Sequence, residues 1–300
     1  MSPEPAGASQ ALRCSFASEA RGDPILATAA PAAGFLLIEQ PGAWGHHALA
    51  ESAIDPEVAA TVGAHALGAS LRVLLIRRPG RRAPAERRAY AIVDSRPGRE
   101  RMAWGTFERD EELLELPLDG TAGVESREPA YLVCTHGRHD TCCALRGRPV
   151  AAALAAERPG ATWECSHVGG DRFAANVVVL PHGFYYGRVS VDDAAALVAA
   201  HERSEVAVES LRGRAAFSPA VQAAQHFARR RLGERRIDAL EPQGAEAGEE
   251  GLTTVRLRHD DRIVSVTVRA GFGEEAGLLT CHASHALHPP TFLLEAIDGL

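Results

Sequence analysis

The sequence has no lysine, few aromatic residues and no long apolar run. All 32 cationic side chains are arginine, and 39 acidic residues leave a formal net charge of −7. Because a nucleic-acid binder neutralises phosphates with a basic surface, this balance argues against nucleic acid as a partner. Apolar runs such as residues 34–38 are far shorter than the ~20 residues that a membrane span needs. The first residues show no export-signal pattern. We therefore expect a soluble, cytoplasmic protein with no membrane partner.

Cysteine is also scarce, with six in 300 residues, which is too sparse for a secreted disulfide scaffold. Four cysteines share one segment and two stand alone near the ends: Cys134, Cys142, Cys143 and Cys165, against Cys14 and Cys281. In a reducing compartment, such a cluster is more often a metal or redox site than a set of structural bridges.

Strand and helix patterns alternate in both halves of the chain, an order typical of α/β proteins. In the first half, apolar strands at 34–39 and 71–76 flank a helix at 56–67. The second half repeats this order, with strands at 130–133, 162–165 and 176–180 and an Ala-rich helix at 149–157. Residues 35–49 align without gaps on residues 131–145, which suggests an internal duplication.

The composition changes from residue 240 onward. Residues 241–251 are polar and acidic and are interpreted as a loop or linker, and the alternating segments 252–257 and 263–268 predict a β-hairpin. We therefore predict four parts: a flexible arm at 1–12, an N-terminal lobe at 13–125, a second lobe at 126–239 and a small β-rich C-terminal region at 240–300.

The strongest chemical signal is a pair of polar loops that follow predicted strands. The first reads Cys134-Thr-His136-Gly-Arg-His139-Asp140-Thr-Cys142-Cys143, and the second reads Cys165-Ser-His167-Val-Gly169-Gly170-Asp171-Arg172. Thiolates and imidazole suit zinc, copper(I) and iron–sulfur clusters. The spacing leaves three interpretations open: a metal or cluster, thiol redox chemistry at Cys134 or Cys143, and structural cysteines. It does not distinguish iron–sulfur from zinc.

Other residues have weaker claims on this site. Gly169 and Gly170 would allow backbone N–H groups to approach a cluster closely. His136 is a candidate for a supporting hydrogen bond to the cluster loop, and Arg172 for neutralising a reduced cluster. The histidine-rich segment 281–288, which begins at Cys281, is interpreted as an exposed turn.

The two polar loops, together with the segment 36–45, resemble the sucrase/ferredoxin-like family. This resemblance implies two thioredoxin-like α/β lobes and a [2Fe-2S] cluster. Family members hold the cluster with two cysteines separated by eight residues and two histidines separated by three. In this sequence the pattern corresponds to Cys134, Cys143 and His167, while Asp171 replaces the second histidine. A carboxylate is a harder ligand than imidazole, so three outcomes are open: Asp171 ligates directly, a spare group such as Cys165, Cys142 or His139 takes the fourth place, or the cluster is labile or absent. Asp171 and Cys165 rank ahead of Cys142 because both lie on the His167 loop.

The resemblance implies an electron carrier, served by a reductase and an acceptor protein, rather than an enzyme. A thiol oxidoreductase and a structural zinc module remain the alternatives. The family's name does not indicate sucrose hydrolysis here, because aromatic residues make up only 5% of the sequence and no pair of carboxylates stands out.

Overall fold

A computed structural model describes residues 13–80 and 86–300, so the predicted arm at 1–12 lies outside the described residues. The helices are α1 (Cys14–Ala20), α2 (Pro56–Gly68), α3 (Thr141–Glu157), α4 (Ala194–Glu202) and α5 (Pro219–Leu232), with 3-10 turns at Asp110–Glu115, Asp171–Phe173 and Val208–Ser210. The strands are β1 (Gly34–Glu39), β2 (Leu71–Arg77), β3 (Arg88–Asp94), β4 (Arg101–Phe107), β5 (Val124–Glu125), β6 (Ala130–Cys134), β7 (Thr162–Cys165), β8 (Val177–Leu180), β9 (Phe184–Tyr186), β10 (Leu211–Arg214), β11 (Glu241–Ala247), β12 (Leu252–His259), β13 (Arg262–Phe272) and β14 (Pro290–Asp298).

Ten strands form one mixed sheet in the order β10-β9-β8-β6-β7-β2-β1-β3-β4-β5. In the first half, β1 pairs parallel with β2 and antiparallel with β3, and helix α2 connects β1 to β2 in the chain. In the second half, β6 pairs parallel with β7 and antiparallel with β8, and helix α3 connects β6 to β7. The halves join through an antiparallel pairing of β2 with β7. The predicted mixed α/β fold class is confirmed, and the repeated connectivity agrees with an internal duplication.

Successive side chains of the central strands point to opposite faces of the sheet and belong to three apolar clusters. Phe35 and Leu37 on β1 share one cluster with Leu132 and Cys134 on β6, so the two halves have a common core on that face. The opposite face of the first half packs against α2, and that of the second half packs against α3 and α4. One continuous core therefore joins the two halves of the sheet on that face.

The C-terminal region is a separate four-stranded antiparallel sheet in the order β11-β12-β13-β14, packed against α5. The predicted hairpin at 252–268 is confirmed as β12 and β13. The predicted linker at 241–251 is wrong over most of its length, because residues 241–247 form β11. That strand lies at the sheet edge and is largely exposed, so its backbone pairing with β12 needs no apolar pattern.

Helix α3 begins eight residues earlier than the helix predicted at 149–157, and this difference positions the candidate site. The Asp140 side chain accepts a hydrogen bond from the backbone N–H of Cys142 (2.8 Å) and caps the helix, while Pro149 lies in its interior. Cys142 and Cys143 therefore belong to the first helical turn and not to a loop. Among the described residues, no helix has the length and apolar character needed to cross a membrane.

Candidate metal centre

The site lies where two neighbouring parallel strands, β6 and β7, end side by side. Cys134 is the last residue of β6, Cys165 is the last residue of β7, and the two are register partners. Because parallel strands carry their C-terminal ends to the same edge, the loops that follow them meet there. The first loop runs into the N-terminus of α3 and supplies Cys143, and the second supplies His167 and Asp171.

The second loop is held in shape by a buried arginine. Arg212 on β10, only 2% exposed, donates to the carbonyl oxygen of Gly169 (2.8 Å) and to Oδ1 of Asn176 (2.8 Å). Gly169 and Gly170 have positive φ angles of 91° and 80°. A Cβ at Gly170 would lie 2.5 Å from the Arg212 guanidinium, so the backbone there approaches an arginine. The resulting turn directs His167 and Asp171 to the same side.

The donor atoms of four residues converge between these elements. Sγ of Cys134, Sγ of Cys143 and a ring nitrogen of His167 lie within 4.8 Å of one another. Asp171 completes the group, since its Oδ1 is 3.0 Å from Nδ1 of His167 and accepts from the Cys143 thiol at 3.4 Å. The cysteines are fully buried, the Asp171 side chain is 3% exposed and the His167 side chain is 20% exposed. The group is therefore open to solvent on its imidazole side.

The four side chains of this group shift one another's pKa values. The hydrogen bond between the two thiols holds the pKa of Cys134 well below its usual value and that of Cys143 well above it, so one proton is retained between them. Burial raises the pKa of Asp171 to about 6. Burial alone would lower the pKa of His167, but the Cys134 thiolate raises it above its usual value. Such a site favours binding a cation, which replaces the shared protons.

Further histidines surround the imidazole side. Nδ1 of His136 accepts from the backbone N–H of His167 (3.3 Å), and its Nε2 donates to the carbonyl oxygen of Gly45 (2.6 Å). The ring of His139 stacks on that of His167 with centroids 3.8 Å apart, and His46 stacks on His139 at 4.9 Å. His46 is exposed. A column of imidazoles thus leads from the donor group to the surface.

A family model described as sucrase/ferredoxin-like matches residues 25–213, which is more than half of the chain. The chain belongs to the sucrase/ferredoxin-like family. The family match covers the ten-stranded sheet through most of β10 and contains all four converging residues, whereas Cys14, α5 and the C-terminal sheet lie outside it. No curated protein and no solved structure matches the chain significantly.

The four residues that the family resemblance assigns, Cys134, Cys143, His167 and Asp171, are thus brought together, and their role as ligands stays a prediction. The alternate Cys165 is fully buried beside Cys134 on β7, and burial raises the pKa of its thiol. The alternate Cys142 turns away from this group. Its sulfur lies 3.7 Å from Sγ of Cys14 and 3.4 Å from Sγ of Cys281.

Two other predicted features take positions that the sequence does not reveal. Arg172 lies over the ring of Phe173, and its Nε is 3.9 Å from Asp23. The segment 281–288 is not simply an exposed turn, because Cys281 contacts two other cysteines. The buried Arg212 is a further residue of this site, and it has no sequence signal because it is a single arginine in a short strand.

Proposed function

We propose that this protein is a [2Fe-2S] electron carrier in which Cys134, Cys143, His167 and Asp171 hold the cluster. The observation that carries the proposal is the convergence of two buried thiols, an imidazole and a carboxylate at the C-terminal ends of β6 and β7. Thiolates are the usual ligands of iron–sulfur clusters, and imidazole replaces them on one iron in some two-iron centres.

Three of the four donors are ligand types typical of two-iron clusters, and the fourth, Asp171, is a harder oxygen donor. Two thiolates supply soft ligands, while Asp171 supplies an anionic oxygen where the family pattern has imidazole. The bound cluster would supply one-electron transfer. The protein keeps the two sulfurs dry, and His136 fixes the backbone of His167 so that its ring faces the thiols.

We further propose that electrons enter and leave through the imidazole side of the site. His167 is the most exposed of the four donors, and the stacked rings of His139 and His46 continue from it to the surface. A reductase and an acceptor protein would dock on this face, in the cytoplasm, where thiols are kept reduced.

Burial argues against the thiol oxidoreductase alternative. A nucleophilic thiolate must be reached by its substrate, yet Cys134 and Cys143 are both 0% exposed. A single zinc ion is the second candidate, because the separation of 3.4 Å between Cys143 Sγ and Asp171 Oδ1 also suits two ligands of one ion.

Anaerobic purification followed by iron, sulfide and zinc analysis separates these candidates. The proposal predicts about two iron and two sulfide ions per chain that are lost together in Cys143→Ser. Zinc in place of iron, removed by the same substitution, would support the mononuclear site. A metal-free protein whose Cys134 and Cys143 alkylate rapidly at neutral pH would support thiol chemistry.

A further inference from the structure

A second cluster of metal-ligating side chains lies beside the first and shares no residue with it. Its donors are the thiols of Cys14, Cys142 and Cys281 and the carboxylate of Asp140, all within 4.8 Å of one another. Cys14, Cys142 and Asp140 are fully buried, and Cys281 is partly buried. We propose that these four residues form a structural zinc site.

The distances suit a single tetrahedral ion. Two sulfurs that each lie about 2.3 Å from a tetrahedral zinc ion are about 3.8 Å apart. The three sulfur–sulfur distances are 3.7 Å for Cys14 and Cys142, 3.4 Å for Cys142 and Cys281, and 3.5 Å for Cys281 and Cys14. The nearer carboxylate oxygen of Asp140 lies 3.7 Å from the Cys14 sulfur. The four donors therefore surround one point.

The hydrogen bonds of Asp140 orient it towards this point. Its Oδ1 accepts from the backbone N–H of Cys142 (2.8 Å), and its Oδ2 accepts from the backbone N–H of Cys281 (2.7 Å). Each oxygen keeps a further lone pair for a metal. In the described part of the chain, no arginine or histidine forms an ion pair with this buried carboxylate. A bound cation would supply the missing compensation.

The mixture of donors selects zinc over other soft metals. Copper(I) prefers sulfur ligands throughout, whereas zinc binds cysteine sulfur and aspartate oxygen in the same site. A disulfide would use two sulfurs, at about 2.05 Å, and leave one thiol and the carboxylate without a function. The three sulfur–sulfur distances are nearly equal, so no two of these cysteines stand out as a disulfide pair.

The site would fasten three distant parts of the chain together. Cys14 begins α1, Asp140 and Cys142 lie at the start of α3, and Cys281 lies in the loop between β13 and β14 of the C-terminal sheet. Cys14 and Cys281 are 267 positions apart. A metal that closes so long a segment restricts the unfolded chain strongly. The same loop carries His282, whose ring contacts His46, so the zinc also holds this loop next to the imidazole side of the first centre.

The test measures zinc and iron by mass spectrometry in full-length protein purified without chelator. Wild type should contain about one zinc ion per chain. Cys281→Ser should lose most of the zinc and keep its iron, and Cys14→Ser should do the same. Ser284→Ala, an exposed neighbour in the same loop, should keep both metals. Cys134→Ser should lose iron and keep zinc, which separates this proposal from the proposed function.

A second measurement guards against misfolding. Cobalt(II) added to zinc-depleted protein should give a thiolate-to-cobalt absorption band that is absent in Cys281→Ser, while the far-ultraviolet circular dichroism of the two proteins stays the same. Zinc-free wild type, a disulfide among Cys14, Cys142 and Cys281 in peptide mass spectra, or zinc that survives both serine substitutions would overturn the proposal.

Discussion

The thiols of Cys142 and Cys143 are neighbours in the chain but face two different clusters. Cys143 Sγ lies 3.4 Å from Asp171, whereas Cys142 Sγ lies 3.4 Å from Cys281. Successive residues of an α-helix are rotated by about 100° about its axis, so adjacent side chains in the first turn point apart. The start of α3 at Thr141 therefore gives each cluster one cysteine.

Cys134→Ser should abolish iron binding, while Cys165→Ala should retain it. Both cysteines are fully buried and are register partners on neighbouring strands, but only Cys134 belongs to the converging group. Serine offers a hard oxygen in place of a soft thiolate, which weakens the hold on iron. Iron content and visible absorption of the purified variants check this. Loss of iron in Cys165→Ala with retention in Cys134→Ser would reverse the assignment.

Asp171→His should raise the reduction potential of the centre, and Asp171→Ala should make its iron labile. The carboxylate is an anionic donor 3.0 Å from His167, and exchanging it for neutral imidazole reduces the negative charge around the irons. The potential should move towards the range of about −150 to +300 mV that centres with two histidines span. A redox titration measures the shift. An unchanged potential in Asp171→His would show that Asp171 is not a ligand.

The sequence predicts the convergence of Cys134, Cys143 and His167 better than it predicts the second cluster. The cysteine spacing and the loop motifs lie within single segments, so the resemblance could assign Cys134, Cys143 and His167 together. The second cluster has no local signal, because Cys14 and Cys281 are isolated cysteines that only the folded chain brings within 3.5 Å. Proline favours the first turn of a helix, so Pro149 predicts a start for α3 that is wrong, and the capping side chain of Asp140 is the signal that marks its true start.

Arg212→Lys should lower the free energy of unfolding by about 3 kcal/mol. The guanidinium is buried and donates to Gly169, Asn176 and Thr28, and an ammonium group cannot reproduce this planar set of donors. Urea unfolding measures the loss. Arg230→Lys, on the exposed side of α5, is the matched control and should change stability by less than about 0.5 kcal/mol. Equal unfolding midpoints for both variants would contradict the structural role of Arg212.

His201→Gln should make the protein less sensitive to mild acid. Burial lowers the pKa of His201 to about 3, and Nε2 of this ring is 2.8 Å from the Tyr186 hydroxyl. In the unfolded chain the pKa is about 6.5, so between these values the unfolded state binds a proton that the folded state does not. The stability that neutral His201 provides is therefore complete above about pH 6.5 and is lost as pH falls towards 3.

Urea unfolding between about pH 5 and pH 7 measures this effect. Below about pH 6.5, the free energy of unfolding should fall less steeply in His201→Gln than in wild type, by up to about 1.4 kcal/mol per pH unit. His285→Gln, at an exposed position, is the control and should keep the wild-type slope. Identical slopes in all three proteins would mean that His201 does not titrate differently in the folded state.

Electron paramagnetic resonance of the dithionite-reduced protein tests the central claim most directly. A [2Fe-2S] centre held by Cys134, Cys143, His167 and Asp171 should give the signal of one unpaired electron per chain, absent before reduction and absent from Cys143→Ser. A protein that contains zinc but no iron, and that shows no signal after reduction, would contradict the electron-carrier account.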